Sequence, residues 1–197
     1  MLEWPASRFA HATVALVRQL EAREGEGAVV ALTATEPGDA KSVVAVSLAR
    51  AAARMGKRAI IIDCDPSRRT EQALHAESRV GLYEVLTGAV PLHDALVRDP
   101  KGSAYLLPLK QRPINAATMF ASPQMTRLVD ILRDAFDFVI LDCGPALNGP
   151  DAALIARQAD ATLLVSRRDK LQARSLQHAT QALQNAKAAP VGLVLAS

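Results

Sequence analysis

Two stretches of this 197-residue chain, RAIIID (58–63) and DFVILD (137–142), constrain its fold more than anything else in it. Each is an unbroken apolar run, rich in β-branched residues, that stops abruptly at an aspartate. Alternating apolar and polar residues would mark a strand with one wet face, whereas continuous hydrophobicity marks a strand covered on both. Strands of that kind belong to a mostly parallel sheet with helices above and below it. Asp63, Asp65 and Asp142 then stand at the carboxyl ends of such strands, where open α/β sheets form the crevice that receives ligands. Packing does not favour an acid there, because an unpaired buried carboxylate is costly. The structural alternative for each one is the capping of a following helix.

Outward from these two runs, AVVALT (28–33), AYLLPL (104–109), DATLLVS (160–166) and PVGLVLA (190–196) have the same aliphatic character and predict four more strands. Helical spacing joins them. Pro5 opens a helix to about Arg23 that GEG (25–27) ends, and a second runs from Lys41 to Met55 and stops at Gly56. Short helices fall between Pro66 and Pro100, clearest at 81–88 and 91–98. Ser122-Pro123 pairs a capping hydroxyl with proline at the first helical position and opens a helix to about Ala135. Further helices fall near 151–158 and 170–186. Six strands alternating with helices predict an α/β fold, an open, doubly wound, mostly parallel sheet with helices on both faces. No repeat or linker divides the chain, so 1–197 reads as one domain with 1–27 as its N-terminal helix and lead-in.

Composition agrees with this core and narrows the function. Only 4% of the residues are aromatic against 50% hydrophobic, so the interior is built from Ala, Val, Leu and Ile. The net charge of +3 comes without a Lys/Arg run, which argues against a nucleic-acid partner. No apolar stretch approaches the roughly 20 residues that cross a bilayer. The N-terminus lacks the basic-then-apolar order of a signal peptide. The expected location is therefore cytoplasmic, with any membrane association supplied by a partner. Cys64 and Cys143 read as small buried thiols in a reducing compartment rather than a disulfide. The four histidines, His11, His75, His93 and His178, show no metal-ligand spacing.

The segment ALTATEPGDAKSVVAVSLA (31–49) supplies the cation that the aspartates need. A strand that passes through a Gly-containing turn into Lys41-Ser42 at a helix start has the geometry of a phosphate-binding loop. Backbone N–H groups and the helix N-terminus face the phosphates, the Lys reaches the β- and γ-phosphates, and the Ser hydroxyl binds Mg²⁺. The full pattern has Gly at 35 and 40, where this chain has Thr35 and Ala40. Taken alone, the segment also reads as an ordinary strand-to-helix turn.

In combination the motifs are more specific. A phosphate loop with a Pro-Gly centre is followed by a strand ending Asp-x-Asp, a GLYEVLTG helix, an Asn before SPQM, then FDFVILDCGP and a later Asp151. That order resembles the cytoplasmic domain of bacterial tyrosine kinases (BY-kinases), the CpsD/CapB-like P-loop NTPases of capsule and exopolysaccharide synthesis. The similarity runs from about residue 28 to the last residue. It implies ATP and Mg²⁺ as cofactors, with a Walker A loop at 33–42, a Walker A′ segment at 59–65 and a Walker B segment at 138–142. Around the nucleotide it places Pro37, Gly38, Asp39, Ala40, Lys41, Ser42 and Val43. By the same resemblance Lys41 holds the phosphates and Ser42 and Asp142 organise Mg²⁺, while Asp63 and Asp65 bind Mg²⁺ or help deprotonate an incoming hydroxyl. Phosphoryl transfer needs little beyond such positioning and charge neutralisation. Arg68 and Arg69 match basic residues of the family, although solvated surface is their plain reading. Arg112 and Asn115 fall where the family has a loop near the base.

The chain also departs from its relatives. Partitioning and division-site ATPases of the ParA/MinD type share the fold but begin the loop with a Lys that reaches across a dimer, and Glu36 stands at that position. Ala40 replaces a glycine where close backbone approach, and a glycine-favoured conformation, are expected, so weakened nucleotide binding is the expectation. BY-kinases typically end in a tyrosine-rich tail, whereas this sequence stops at Leu195-Ala196-Ser197 and its tyrosines are Tyr83 and Tyr105. The Glu-x-x-Arg-x-x-Arg pattern of ring assembly is missing from the N-terminal helix, so the ring is not carried over, though an oligomer stays open. The expected function is an ATPase or protein-tyrosine kinase docked to a membrane chain-length regulator or other export protein. The alternatives are a non-catalytic scaffold with a decayed site and, third, a ParA/MinD-like positioning ATPase.

Overall fold

A computed structural model describes residues 8–20, 26–38, 40–65, 67, 69–75, 77–110, 113–188 and 190–196. Its first half contains α1 (Arg8–Leu20), β1 (Ala28–Ala34), α2 (Lys41–Arg54), β2 (Ala59–Cys64), α3 (Arg69–Leu74), α4 (Leu82–Leu86), α5 (Leu92–Ala95), β3 (Val97–Arg98) and β4 (Tyr105–Leu107). The second half adds α6 (Ala116–Phe120), α7 (Pro123–Ala135), β5 (Phe138–Cys143), α8 (Asp151–Ala156), β6 (Ala161–Arg167), α9 (Ala173–Asn185) and β7 (Pro190–Ala196). The strands form one sheet in the order β3-β4-β2-β5-β1-β6-β7, parallel throughout except for β3.

The two Asp-ending runs lie side by side as β2 and β5, and β1 flanks β5 on its other edge. Successive residues of a strand point to opposite faces, so each continuous apolar run feeds two cores. Val29, Ala31, Ile60, Ile62, Val139 and Leu141 pack against Phe120 and against Met125, Leu128, Val129 and Leu132 of α7. Val30, Leu32, Ile61, Phe138 and Ile140 pack on the opposite face against Val17 and Leu20 of α1 and Val44 and Leu48 of α2. Both faces are thus covered, as the uninterrupted hydrophobicity requires.

All six expected strands form, with ends shifted by one or two residues. A seventh, β3, takes over the end of the helix expected at 91–98, which stops at Ala95, and pairs antiparallel with β4 at the sheet edge; the short helix α6 is an addition to the sequence reading. Ser122 caps α7 as expected, its Oγ accepting from the Met125 N–H at 3.2 Å with Pro123 in the first turn. The two ends of the expected N-terminal helix, before residue 8 and after residue 20, lie outside the described residues. Cys64 and Cys143 are free, fully buried register partners on β2 and β5. Burial pushes both thiols well above the ordinary thiol range. No helix among the described residues is long and apolar enough to cross a membrane.

Candidate functional site

The loop after β1 is tied to the strands on either side of it. Thr33 Oγ1 donates to the Gly144 carbonyl at 2.7 Å, and the Ala146 N–H donates to the Ala34 carbonyl at 2.9 Å. On the other side Thr35 donates through its N–H to the Val165 carbonyl at 3.2 Å and through Oγ1 to Ser166 Oγ at 3.0 Å. Thr35 is therefore a buried anchor of the loop's start, a use its hydroxyl allows and a glycine would not. Gly38 turns the chain with φ 91°, a region open to glycine. The chain then enters α2 at Lys41.

Ala40 corrects one expectation. Its φ is −72° and its ψ 27°, so the position next to the lysine does not demand glycine on conformational grounds. Only the volume of its Cβ remains as a possible penalty.

Lys41, Ser42, Asp63, Asp65 and Asp142 converge as expected. Lys41 Nζ lies 2.5 Å from Asp142 Oδ1 and 3.3 Å from Asp65 Oδ2, and 3.5 Å from Ser42 Oγ. All five residues are buried, and Asp142 is completely so. Burial opposes the lysine's charge, but Asp142, Asp65 and Asp63 more than offset it and hold Lys41 protonated, well above the ordinary lysine value. Three carboxylates surround one ammonium, and Asp63 is the one that makes no direct contact with it. Its Oδ1 accepts from the Asp65 N–H at 3.0 Å, while its buried Oδ2 has no hydrogen-bond partner. Burial first, and the neighbouring Asp142 charge second, push the Asp63 carboxyl well above the usual carboxylate range.

A cavity of about 110 Å³ opens on this cluster, with Glu36, Pro37, Gly38, Lys41, Ser42 and Asp65 among its lining residues. Asn148 and Ser67, which the sequence reading did not single out, line it too. Val43 is half exposed on the first turn of α2 and is not part of that lining. Asp39, Arg68 and Arg112 lie outside the described residues, and so does the side chain of Arg69. Asn115 is exposed at the start of α6 and makes no side-chain cap there, while Asp151 opens α8. Glu36, at the position of the dimer-reaching lysine, accepts from Ser175 Oγ of α9 at 3.1 Å. A larger cleft of about 320 Å³ between α6, α7 and α8, lined by Thr126, Asp130, Arg157 and Gln158 among others, contains none of the expected site residues.

The sequence reading missed Thr70, whose Oγ1 donates to Asp142 Oδ2 in the interior. It also missed the Glu71–Lys110 ion pair of 2.6 Å that fastens α3 to the segment after β4. Neither carries a local signal, since both depend on partners distant in sequence.

The donor set fits a hydrated Mg²⁺ held jointly with a phosphate. It consists of hard oxygen donors with an excess of negative charge, and one buried carboxylate oxygen lacks a partner. Among the described residues no group of three or more His, Cys, Asp or Glu could hold a metal ion by itself, so Asp63, Asp65 and Asp142 do not form a self-sufficient cage. Mg²⁺ usually takes one or two protein carboxylates and completes its shell with phosphate oxygens and water.

Residues 27–189 match the family model described as an AAA domain (AAA_31). Among curated proteins, the chain is 30% identical over 167 residues to the tyrosine-protein kinase YwqD of Bacillus subtilis, a match covering 84% of this chain and 70% of YwqD. It is also 30% identical over 145 residues to the putative tyrosine-protein kinase AmsA of Erwinia amylovora, but that match spans only 20% of AmsA's length and 73% of this chain. Among solved structures, the kinase domain of the Escherichia coli tyrosine kinase ETK superposes with a TM-score of 0.88 at 26% identity, covering 97% of this chain and 76% of that domain. A cobyrinic acid a,c-diamide synthase from Mycobacterium smegmatis, solved with bound ADP and magnesium, superposes with a TM-score of 0.69 at 25% identity, covering 85% of this chain and 72% of the synthase.

Proposed function

Because this chain belongs to the AAA domain family and, within the P-loop NTPases, to the group of bacterial tyrosine-kinase domains, we propose that it binds ATP·Mg²⁺ and transfers or hydrolyses the terminal phosphoryl group. The observation that carries this reading is the convergence of Lys41 with Asp63, Asp65 and Asp142 at the mouth of the β1–α2 loop. An ordinary strand-to-helix turn would have no reason to bury one ammonium among three acids.

The geometry supports the following roles. Lys41 is held charged at the N-terminus of α2, where its ammonium and the helix end both favour the β- and γ-phosphates. Its present partners, Asp142 and Asp65, are the groups it exchanges for phosphate. Ser42 and Asp142 are the residues that would hold Mg²⁺, which when bound neutralises charge on the phosphates. Asp63 and Asp65, at the end of β2, are the groups that would bind Mg²⁺ or take the proton of an incoming hydroxyl, and of the two Asp65 lines the cavity. Asp65 has one oxygen anchored by the Ser67 N–H at 3.0 Å and the other beside Lys41.

The incoming hydroxyl is assigned to a protein tyrosine, and the setting to polysaccharide assembly or export with a membrane chain-length regulator as partner. Both are inferred from the relatives. Mixing radiolabelled ATP, the protein and a tyrosine-bearing partner tests the reaction. Label transfer that Lys41→Met abolishes is the expected result. Absence of both transfer and hydrolysis would favour the scaffold reading. The positioning-ATPase reading has a specific observation against it, because Glu36 is acidic and engaged with Ser175 within the same chain.

A further inference from the structure

We infer that Thr70 is a positioning residue that decides which oxygen of Asp142 faces the nucleotide, an inference that rests on the phosphoryl-transfer reading above. The three site carboxylates share one pattern. Each has one oxygen tethered by a neutral donor and leaves the other without such a tether. Asp63 Oδ1 accepts from the Asp65 N–H, leaving its buried Oδ2 without a partner. Asp65 Oδ1 accepts from the Ser67 N–H, leaving Oδ2 to Lys41. Asp142 Oδ2 accepts from Thr70 Oγ1, leaving Oδ1 to Lys41.

The first two tethers are local, each made by the backbone two residues on. Asp142 receives its tether from a different element. Thr70 is fully buried on α3, and the neighbouring Glu71 fixes that helix by accepting from Lys110 Nζ at 2.6 Å and from the Ser78 N–H at 3.2 Å. Leu74, one turn on, packs in the same core as Val44 and Leu48 of α2.

The tether matters because the terminal torsion of an aspartate is broad and nearly two-fold, so nothing intrinsic distinguishes its two oxygens. The two contacts of Asp142 also differ in permanence. Lys41 has competing claims from Asp65, from Ser42 and, in the proposed function, from phosphate. The Thr70 hydroxyl sits on an anchored helix. When Lys41 turns to the phosphates, Oδ1 is released on the Lys41 and Ser42 side, while Oδ2 stays with Thr70. Without the hydroxyl the carboxylate would lose that preference and respond to metal from a mixture of orientations.

The test uses Thr70→Val, which keeps the shape and deletes the donor, and Thr70→Ser, which restores it. ADP affinity is measured by calorimetry with and without Mg²⁺. The tightening that Mg²⁺ confers should fall about tenfold or more in the valine variant, as loss of a residue behind a metal ligand commonly does. Metal-free ADP affinity should stay within about twofold, because that binding depends on Lys41 and the loop, and serine should recover most of the metal effect. A valine variant with the full Mg²⁺ effect, or a serine variant no better than valine, overturns the proposal. If the wild-type protein binds no ADP, the nucleotide reading fails. The tether is then read in the ligand-free protein from the ¹³C resonance of the Asp142 side-chain carboxyl, which should move in Thr70→Val and return in Thr70→Ser. An unmoved resonance would overturn it. Should the valine variant fold poorly by near-UV circular dichroism, Thr70→Cys, a weak donor, should show a smaller loss in the same direction.

Discussion

Asp63 and Asp142 are register partners on the adjacent parallel strands β2 and β5, so two carboxylates that are 1% and 0% exposed share one end of the sheet core. The consequence falls on Asp63, which burial and its neighbour's charge push upward. A native state that holds this proton more tightly than the unfolded chain is favoured at low pH. It loses that advantage as pH rises from the ordinary aspartate range through the folded value. Asp63→Asn removes the titration and the repulsion while its Oδ1 still accepts from the Asp65 N–H. The variant should be more stable than wild type at pH 8 by about 1–2 kcal/mol, with little gain at pH 4, and should lose phosphotransfer. Urea unfolding at the two pH values reads the first effect, and equal or lower stability at pH 8 would count against it.

How much of this was visible in the sequence follows the reach of each interaction. Strands β2 and β5 could be read directly because burial on both faces leaves its mark on every residue in them. Their terminal aspartates stood out for the same reason, as charges where packing calls for none. The Ser122-Pro123 start of α7 was legible because a cap is written in adjacent residues. By contrast β3 is two residues long. The residue after it, Asp99, is held by Arg50 of α2 at 2.7 and 2.8 Å, a contact no local pattern encodes. Thr70 and Glu71 escaped likewise, since their partners lie 72 and 39 residues away. At Ala40 the motif suggests a glycine-favoured backbone that the chain does not adopt, because a loop's dihedrals are not written in its residue spacing.

The cap itself gives a stability prediction separate from the site. Ser122→Ala deprives the Met125 N–H of its acceptor while Pro123 remains in place. Loss of about 1 kcal/mol is expected. ADP affinity should not change, because Ser122 is absent from the lining of the nucleotide cavity. Thermal unfolding and calorimetry separate the two, and an undiminished melting temperature would mean that the cap contributes nothing.

Ala40→Gly tests what is left of the atypical loop. Had the backbone there required positive φ, glycine would relieve a strain of order 1–3 kcal/mol and tighten nucleotide binding by tenfold or more. With φ at −72° that relief does not exist. ADP affinity in the presence of Mg²⁺ should therefore change by less than about threefold, the margin that removing one methyl group leaves when no strain is released. A tenfold gain in the glycine variant would show that the Ala40 Cβ blocks the phosphates after all.

Lys41→Met should separate the structural and chemical parts of the buried cluster. The lysine stays charged throughout the neutral range, since its raised value is fully effective below the unfolded lysine pKa near 10.4 and is lost only at more alkaline pH. Without their cation, Asp142 and Asp65 become buried unpaired charges, and breaking such a pair costs about 3–5 kcal/mol. The single variant should therefore be less stable than wild type at pH 8 by about that amount. Adding Asp142→Asn to Lys41→Met should recover stability at pH 8, because it removes the most deeply buried of the orphaned charges, but should not recover ADP binding. Urea unfolding of wild type and both variants at pH 8 decides the first point. If the double variant is no more stable than the single one, the ion pair is not what makes Lys41 structurally important.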